Sequence, residues 1–300
     1  MTALNGEIYW EKGHIGCLFI YSGESTRPAL GRQGRGVALV LGPQLQRAWR
    51  ASGSRVASSG PRHLVIEFRL HGKQWVLGSA YGPSGDTPAD QVERENLFAT
   101  LGSAVGGAAD NKVLLIGIDA NVSVGPDASS TAVSFDDKRS WRAYRKPCGK
   151  FGLKRGKKLK RDTFLGFLRS QEWCLANTFF PGPSASVEPL GTWLGVDPKR
   201  RVWHQLDYWM VNHRTRVECL RHCGKDDRYA VDTNHSPVSI TVCVRRPRHM
   251  AATRGTDSGY DAALMARMGR LRWTWAGTRT PRDRLSPQGV PSWGRWILAQ

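Results

Sequence analysis

The sequence lacks any apolar run approaching the roughly 18 residues that a bilayer-spanning helix needs. Met1–Trp10 also lacks the basic-then-apolar order of a secretory leader. A soluble intracellular chain with no membrane-spanning segment is therefore expected, with the nucleus among its compartments. Cysteine is scarce: six residues, Cys17, Cys148, Cys174, Cys219, Cys223 and Cys243, are spread thinly, several inside apolar runs where a reduced thiol packs as a small hydrophobe. No disulfide framework is expected. Cys219, His222 and Cys223 stand close together, but a structural zinc site needs a second ligand pair at suitable spacing, and only His213 is near. Acidic residues are few as well, 25 against 44 Lys and Arg, leaving a formal net charge of +19. Such an imbalance does not bear on fold; it favours polyanionic partners, nucleic acid or an anionic surface.

What is present reads as one folded core over residues 1–245 followed by a basic, weakly ordered tail over 246–300. Apolar runs bounded by turn signals predict strands at Gly16–Tyr21, Val37–Leu41, His63–Leu70 and Gln74–Tyr81, the last two joined as a hairpin around His71-Gly72-Lys73. Pro88–Val105 opens on proline and acids and places Val92, Leu97, Phe98 and Leu101 at near-helical spacing, so an amphipathic helix is expected there. The continuous run Val113–Ile118 has the composition of a strand buried on both faces, and it ends in Asp119-Ala120-Asn121. A second helix is expected over Leu159–Trp173, with strands at Cys174–Phe179, Leu206–Val211 and Val238–Val244. Residues 246–300 carry ten Arg and three Asp with scattered Trp, Gly and Pro, and only Ala262–Leu271 hints at a helix.

Three segments carry chemistry: Ile116-Gly117-Ile118-Asp119-Ala120-Asn121, His204-Gln205-Leu206-Asp207-Tyr208 and Thr233-Asn234-His235-Ser236-Pro237-Val238. Each puts polar groups at an end of a predicted strand. Phosphodiester hydrolysis needs a hard cation, a group that holds and deprotonates water, and donors for the developing charge; carboxylates, His and Asn supply these.

In chain order, Tyr81-Gly82-Pro83, Gly117-Ile118-Asp119-Ala120-Asn121, Leu206-Asp207-Tyr208 and Asn234-His235-Ser236-Pro237-Val238 resemble the endonuclease/exonuclease/phosphatase superfamily. Cys148-Gly149-Lys150-Phe151-Gly152, Leu175–Phe180 and Thr192-Trp193 resemble words of its LINE-type retrotransposon branch. The resemblance covers about Gly16 to Val244. It implies an α/β fold: a two-sheet β-sandwich flanked by helices, four-layer αββα, here incomplete at the N-terminus. It also implies Mg²⁺ as cofactor, with Mn²⁺ able to substitute, and DNA or RNA as partner, without an obligate protein partner. By the same resemblance Asp119 orients the attacking water, Asn121 and Tyr81 contact the phosphate, His235 acts as base or charge stabiliser, and Asp207 organises the metal.

Two departures bear on activity. The family's Asp-His pair stands here as Asn234-His235, so position 234, a metal and imidazole partner in the family, has no charge. Neither the family's opening Asn strand nor the Gln-Glu-Thr-like word with its metal-binding Glu appears upstream of Gly16; Glu7 and Glu11 stand in unrelated surroundings. N-terminal truncation is the expected cause. Lys138–Arg161 holds twelve basic and no acidic residues, interleaved with Trp141, Tyr144 and Phe151. Lys150, Lys154, Arg155, Lys157 and Lys158 are the expected nucleic-acid contacts of that run. The expected activity is a Mg²⁺-dependent endonuclease, impaired by the lost Glu and by Asn234. The alternative from another class is a catalytically inactive nucleic-acid-binding remnant. A phosphoinositide or sugar-phosphate phosphatase is disfavoured by the charge and by the retrotransposon-like words.

Overall fold

The computed structural model describes residues 3–12, 15–24, 36–106, 112–125, 146–153, 158–181, 190–195, 202–226, 234–243, 271–277 and 295–299. The chain opens with three strands, β1 (Ala3–Lys12), β2 (Ile15–Glu24) and β3 (Gly36–Leu41), followed by helix α1 (Pro43–Ala51). A run of strands comes next: β4 (Arg55–Gly60), β5 (His63–Leu70) and β6 (Lys73–Tyr81). The β5–β6 hairpin turns on His71 and Gly72, both at positive φ (53° and 72°), the geometry that matches strand twist in a two-residue loop. Helix α2 (Pro88–Val105) starts at Thr87, whose hydroxyl accepts from the Asp90 amide while the Asp90 carboxylate accepts from the Thr87 amide, a reciprocal capping box with proline in the first turn.

Strand β7 (Lys112–Asp119) lies in the middle of a six-stranded sheet of order β4-β5-β6-β7-β11-β8, parallel to β6 and antiparallel to β11 (Asp207–Asn212). Helix α3 (Lys158–Ser170) and the short β8 (Trp173–Leu175) precede β11. The sequence had Cys174–Phe179 as strand throughout, but after Leu175 the chain tightens into a 3-10 turn over Ala176–Phe179. Strands β9 (Trp193–Leu194) and β10 (Trp203–His204) form a separate ribbon.

After a π-helical turn at Thr215–Cys219 the chain continues through β12 (Leu220–Lys225) and β13 (Val238–Val242). Two further strands, β14 (Leu271–Gly277) and β15 (Arg295–Ala299), fall within the stretch that the sequence left as a basic tail. Together they complete a seven-stranded sheet of order β1-β2-β3-β15-β14-β13-β12. Residues 262–270 of the expected helix at Ala262–Leu271 lie outside the described residues, and Leu271 begins β14.

Period-two alternation explains how the layers form. On β7, Val113 and Leu115 join Trp75, Leu77, Trp209, Val211, Leu39, Leu41, Val238 and Ile240 in a core between the two sheets. The alternate residues Leu114, Ile116 and Ile118 face the other way and pack with Leu97, Phe98 and Leu101 of α2 and Phe164, Leu165 and Leu168 of α3. A strand buried on both faces needs the unbroken apolar run seen in the sequence. The fold is thus α/β, two mixed sheets face to face with helices α2 and α3 over the outer face of one, while Leu45 and Trp49 of α1 belong to the inter-sheet core. Cys174, Cys219 and Cys223 pack in that core as small hydrophobes, and none of the six cysteines is in a disulfide. No helix among the described residues is long and apolar enough to cross a membrane.

Candidate active site

The same alternation that builds the core builds the site. Tyr81, Asp119 and Asp207 are register partners across β6, β7 and β11, one row at one end of the sheet. Asp207 is two residues before Trp209, and Asp119 and Tyr81 are four residues past Leu115 and Leu77, all of them inter-sheet core residues, so the row lies on the inter-sheet side. His235 reaches the row from the opposite sheet, on the segment that leads into β13. One ligand atom each from Asp119, Asp207 and His235 lie within 4.8 Å of one another. Both carboxylates are fully buried, 0% exposed, and His235 is partly so.

Asp207 holds the imidazole. His235 Nδ1 lies 3.0 Å from Asp207 Oδ2 and 3.3 Å from Oδ1. This corrects the sequence reading, in which the residue before His235 was the imidazole's partner. Asn234 instead bonds to the β9 backbone, where its side-chain amide donates to the Leu194 carbonyl at 3.5 Å and its own carbonyl accepts from the Leu194 amide at 2.8 Å. A neutral residue at 234 therefore leaves the ring's carboxylate partner in place. Burial pushes the Asp207 carboxyl up, while His235 and a Thr192 hydrogen bond pull against that rise.

Thr192 is the hinge pin of the arrangement, and the sequence reading gave it no role beyond its place in a word. Its hydroxyl accepts from the amides of Leu206 (2.9 Å) and Asp207 (3.0 Å). Its carbonyl accepts from the Ser236 amide at 2.7 Å, next to an isolated antiparallel bridge between Trp193 and His235. One residue thus fixes both the start of β11 and the histidine segment. From the other side, Trp209 Nε1 donates to the Val238 carbonyl at 2.8 Å, tying β11 to β13 just past His235. A Thr192→Val change strands one buried amide donor, at about 1–3 kcal/mol, and one part-buried donor at less. A thermal midpoint lowered by several degrees is expected, at about 2–4 °C per kcal/mol. Thr192→Ser should restore it, and equal melting of the Val and Ser variants would show that the hydroxyl does not hold these amides.

Asn121 sits in the left-handed region (φ 51°). Its amide donates to Asp119 Oδ1 at 2.8 Å, and its side-chain Nδ2 donates to the Gly82 carbonyl at 2.7 Å, so part of its hydrogen-bonding capacity joins the ends of β6 and β7. Gly82 permits that closeness: its amide donates to the Asp119 carbonyl at 2.7 Å, and a Cβ there would meet the Ala120 carbonyl oxygen at 2.7 Å. Tyr81 is half-buried, with the Arg62 guanidinium 5.1 Å from its ring centre and Arg62 in turn held by Glu93 at 2.8 Å.

The Cys148-Gly149-Lys150-Phe151-Gly152 word has a steric reason. The amides of Gly149 and Phe151 donate to the Thr178 hydroxyl (2.8 Å) and carbonyl (2.9 Å). A side chain at Gly149 would fall against that carbonyl, and one at Gly152 against the Val124 carbonyl. The neighbouring Asn177 donates to the Asp207 carbonyl at 3.0 Å, linking this loop to the site. Lys150 is exposed with its ammonium 5.0 Å from the Phe151 ring centre, and Lys158 is exposed at the start of α3. Lys154, Arg155 and Lys157 lie outside the described residues. Glu7 pairs with Arg50 of α1 at 2.5 Å.

Two carboxylates buried side by side carry a desolvation cost that a cation would offset, and burial is the leading cause of the raised Asp207 carboxyl. The donor set, carboxylate oxygens with one imidazole, could hold a metal ion. Comparison with known proteins finds no matching family model and no matching curated protein. Among solved structures the chain is similar to the endonuclease domain of TRAS1, a telomere-specific non-LTR retrotransposon, at 12% identity and a TM-score of 0.37, over 59% of this chain and 62% of that one. It is similar to the 3'-5' exonuclease NExo from Neisseria meningitidis at 16% identity and a TM-score of 0.39, over 59% and 63%. The AP endonuclease LMAP from Leishmania major matches at 14% identity and a TM-score of 0.39, over 60% and 54%. The chain thus spans less than two thirds of the length of each of these nucleases.

Proposed function

We propose that the chain is a Mg²⁺-dependent endonuclease that cleaves phosphodiesters in DNA, slowed by the neutral side chain at Asn234. The observation that carries this reading is the meeting of Asp119, Asp207 and His235, from separate strands of two sheets, within 4.8 Å. Asp119 and Asp207 are the residues whose carboxylates would hold the ion, with Mn²⁺ as a substitute. A bound Mg²⁺ supplies charge neutralisation at the phosphate and a more acidic water.

The chain's own groups supply the rest. Asp119 accepts a proton from the attacking water and fixes its direction. His235, its ring oriented by Asp207, faces the phosphate and stabilises the charge that develops on it. The Tyr81 hydroxyl and the remaining donor of Asn121 complete the cradle. Lys150 and Lys158, with the other basic residues of 138–161, hold the DNA backbone through phosphate contacts whose strength falls as salt rises. As the water oxygen bonds to phosphorus the P–O3′ bond breaks, and the departing oxygen takes a proton from solvent, leaving a nick with a free 3′-hydroxyl and a 5′-phosphate.

Incubation of purified protein with supercoiled plasmid, with Mg²⁺ and with chelator, tests the reading. Mg²⁺-dependent conversion to the open circle is expected. Asn234→Asp should raise the rate about 10- to 100-fold, the range over which metal-site partners commonly act. Plasmid binding without Mg²⁺-dependent nicking, in wild type and Asn234→Asp alike, would instead identify a nucleic-acid-binding remnant.

A further inference from the structure

The seven-stranded sheet is assembled from two distant parts of the chain. Strands β1, β2 and β3 come from residues 3–41 and form one antiparallel unit. Strands β12 and β13 come from residues 220–242 and form a two-stranded ribbon. Nothing joins these units directly within the sheet: β3 and β13 are separated by two strand positions, and both positions are filled by the last thirty residues of the chain. Strand β14 pairs antiparallel with β13, from Val238↔Trp275 to Val242↔Leu271. Strand β15 pairs antiparallel with β14 and parallel with β3, from Trp296↔Ala38 to Ala299↔Leu41.

We infer that the C-terminal segment is this sheet's own complement: it closes the gap between β3 and β13 and thereby fixes the ribbon that delivers His235. At about 4.8 Å per strand, the gap sets β3 and β13 roughly 14 Å apart, so the two units cannot hydrogen-bond to each other without it. An isolated two-stranded ribbon is marginal in water. With β14 alongside, β13 is flanked on both edges, and its backbone groups find partners on both sides.

The placement also concerns the site. Trp275 is opposite Val238, three residues past His235, so the C-terminal end of β14 and the start of β15 at Arg295 lie at the same end of the sheet as the histidine. The strand composition agrees: Arg272-Trp273-Thr274-Trp275 and Trp296-Ile297-Leu298 are rich in the aromatic and β-branched residues that favour strands. The Arg-rich surroundings obscure this in a composition count.

Two experiments on the 300-residue chain decide the matter without using nuclease activity, so they are independent of the proposed function. The first introduces cysteine pairs at register partners, Ser239→Cys with Thr274→Cys and Val242→Cys with Leu271→Cys, and maps cross-links by peptide mass after mild oxidation. Opposed strand residues lie within disulfide reach. At least one matched pair should link efficiently, and the offset pair Ser239→Cys with Trp275→Cys should link at least tenfold more slowly. The second places Thr274→Pro in the middle of β14, with Ala252→Pro as control, and follows amide hydrogen exchange at β13. Thr274→Pro should speed exchange at Val238–Val242 about a hundredfold or more, and the control should leave it unchanged. Failure of both matched pairs to link, or β13 exchange within threefold of wild type in Thr274→Pro, overturns the inference.

Discussion

An Asp119→Asn chain is expected to nick supercoiled plasmid about 10²- to 10⁴-fold more slowly than wild type, the usual worth of a positioned acid–base group, while still binding DNA. Asparagine is the informative replacement because it keeps an oxygen where Oδ1 accepts the Asn121 amide at 2.8 Å. The left-handed turn at Asn121 is therefore retained, and only the charge and the second carboxylate oxygen's basicity are removed. Plasmid affinity should stay within about threefold of wild type, since it rests on surface Lys and Arg rather than on a fully buried carboxylate. Nicking at the wild-type rate in Mg²⁺ by a correctly folded Asp119→Asn protein would take the water-handling role away from this residue. Reduced affinity with unchanged turnover would move it from chemistry to binding.

That a single row of residues can be tested this way follows from how much of it could be read beforehand. The unbroken run Val113–Ile118 predicted a central strand, and alternation along it sends Asp119 to the same face as Val113 and Leu115. The same rule sends Asp207 to the face of Trp209 and Val211, so two acids at strand ends become neighbours once the strands pair. The partner of His235 could not be read, because it depends on how one sheet stacks on the other and on the Thr192–Ser236 link, which is non-local. Only its word in the sequence, Thr192-Trp193, pointed to that place.

The elements that escaped the sequence reading share a reason: their apolar signal is short or diluted. Helix α1 buries only Leu45 and Trp49, a single pair four residues apart. Strand β12 reads Leu-Arg-His-Cys-Gly-Lys, where Cys223 is a core residue and the exposed His222 packs its ring on Phe180. The two C-terminal strands are embedded in a stretch with ten Arg, so composition hid them. Strand β1 precedes the first apolar run, and its partner β2 carries the recognisable pattern.

Asp207→Asn should separate activity from stability. Burial is the leading influence on this carboxyl and holds it above its ordinary value in the folded chain. The folded state therefore binds that proton more tightly than the unfolded state does. The stability this contributes is complete below the ordinary carboxylate range, near about 3.9, and is lost as pH rises through the raised folded-state value. An asparagine carries no such dependence. In chelator, the melting midpoints of wild type and Asp207→Asn should be closest at pH 4, and the variant should gain on wild type as pH rises to 8. Nicking should move the other way. Asparagine can still accept from the imidazole at Nδ1, but it removes a negative charge from the site, so a fall of about 10²- to 10⁴-fold is expected. Adding Mg²⁺ should raise the wild-type midpoint more than the variant's, because only the carboxylate offers the ion a charged ligand. A variant that loses ground to wild type with rising pH in chelator would mean that the Asp207–His235 ion pair outweighs burial, and that the site is balanced without a metal.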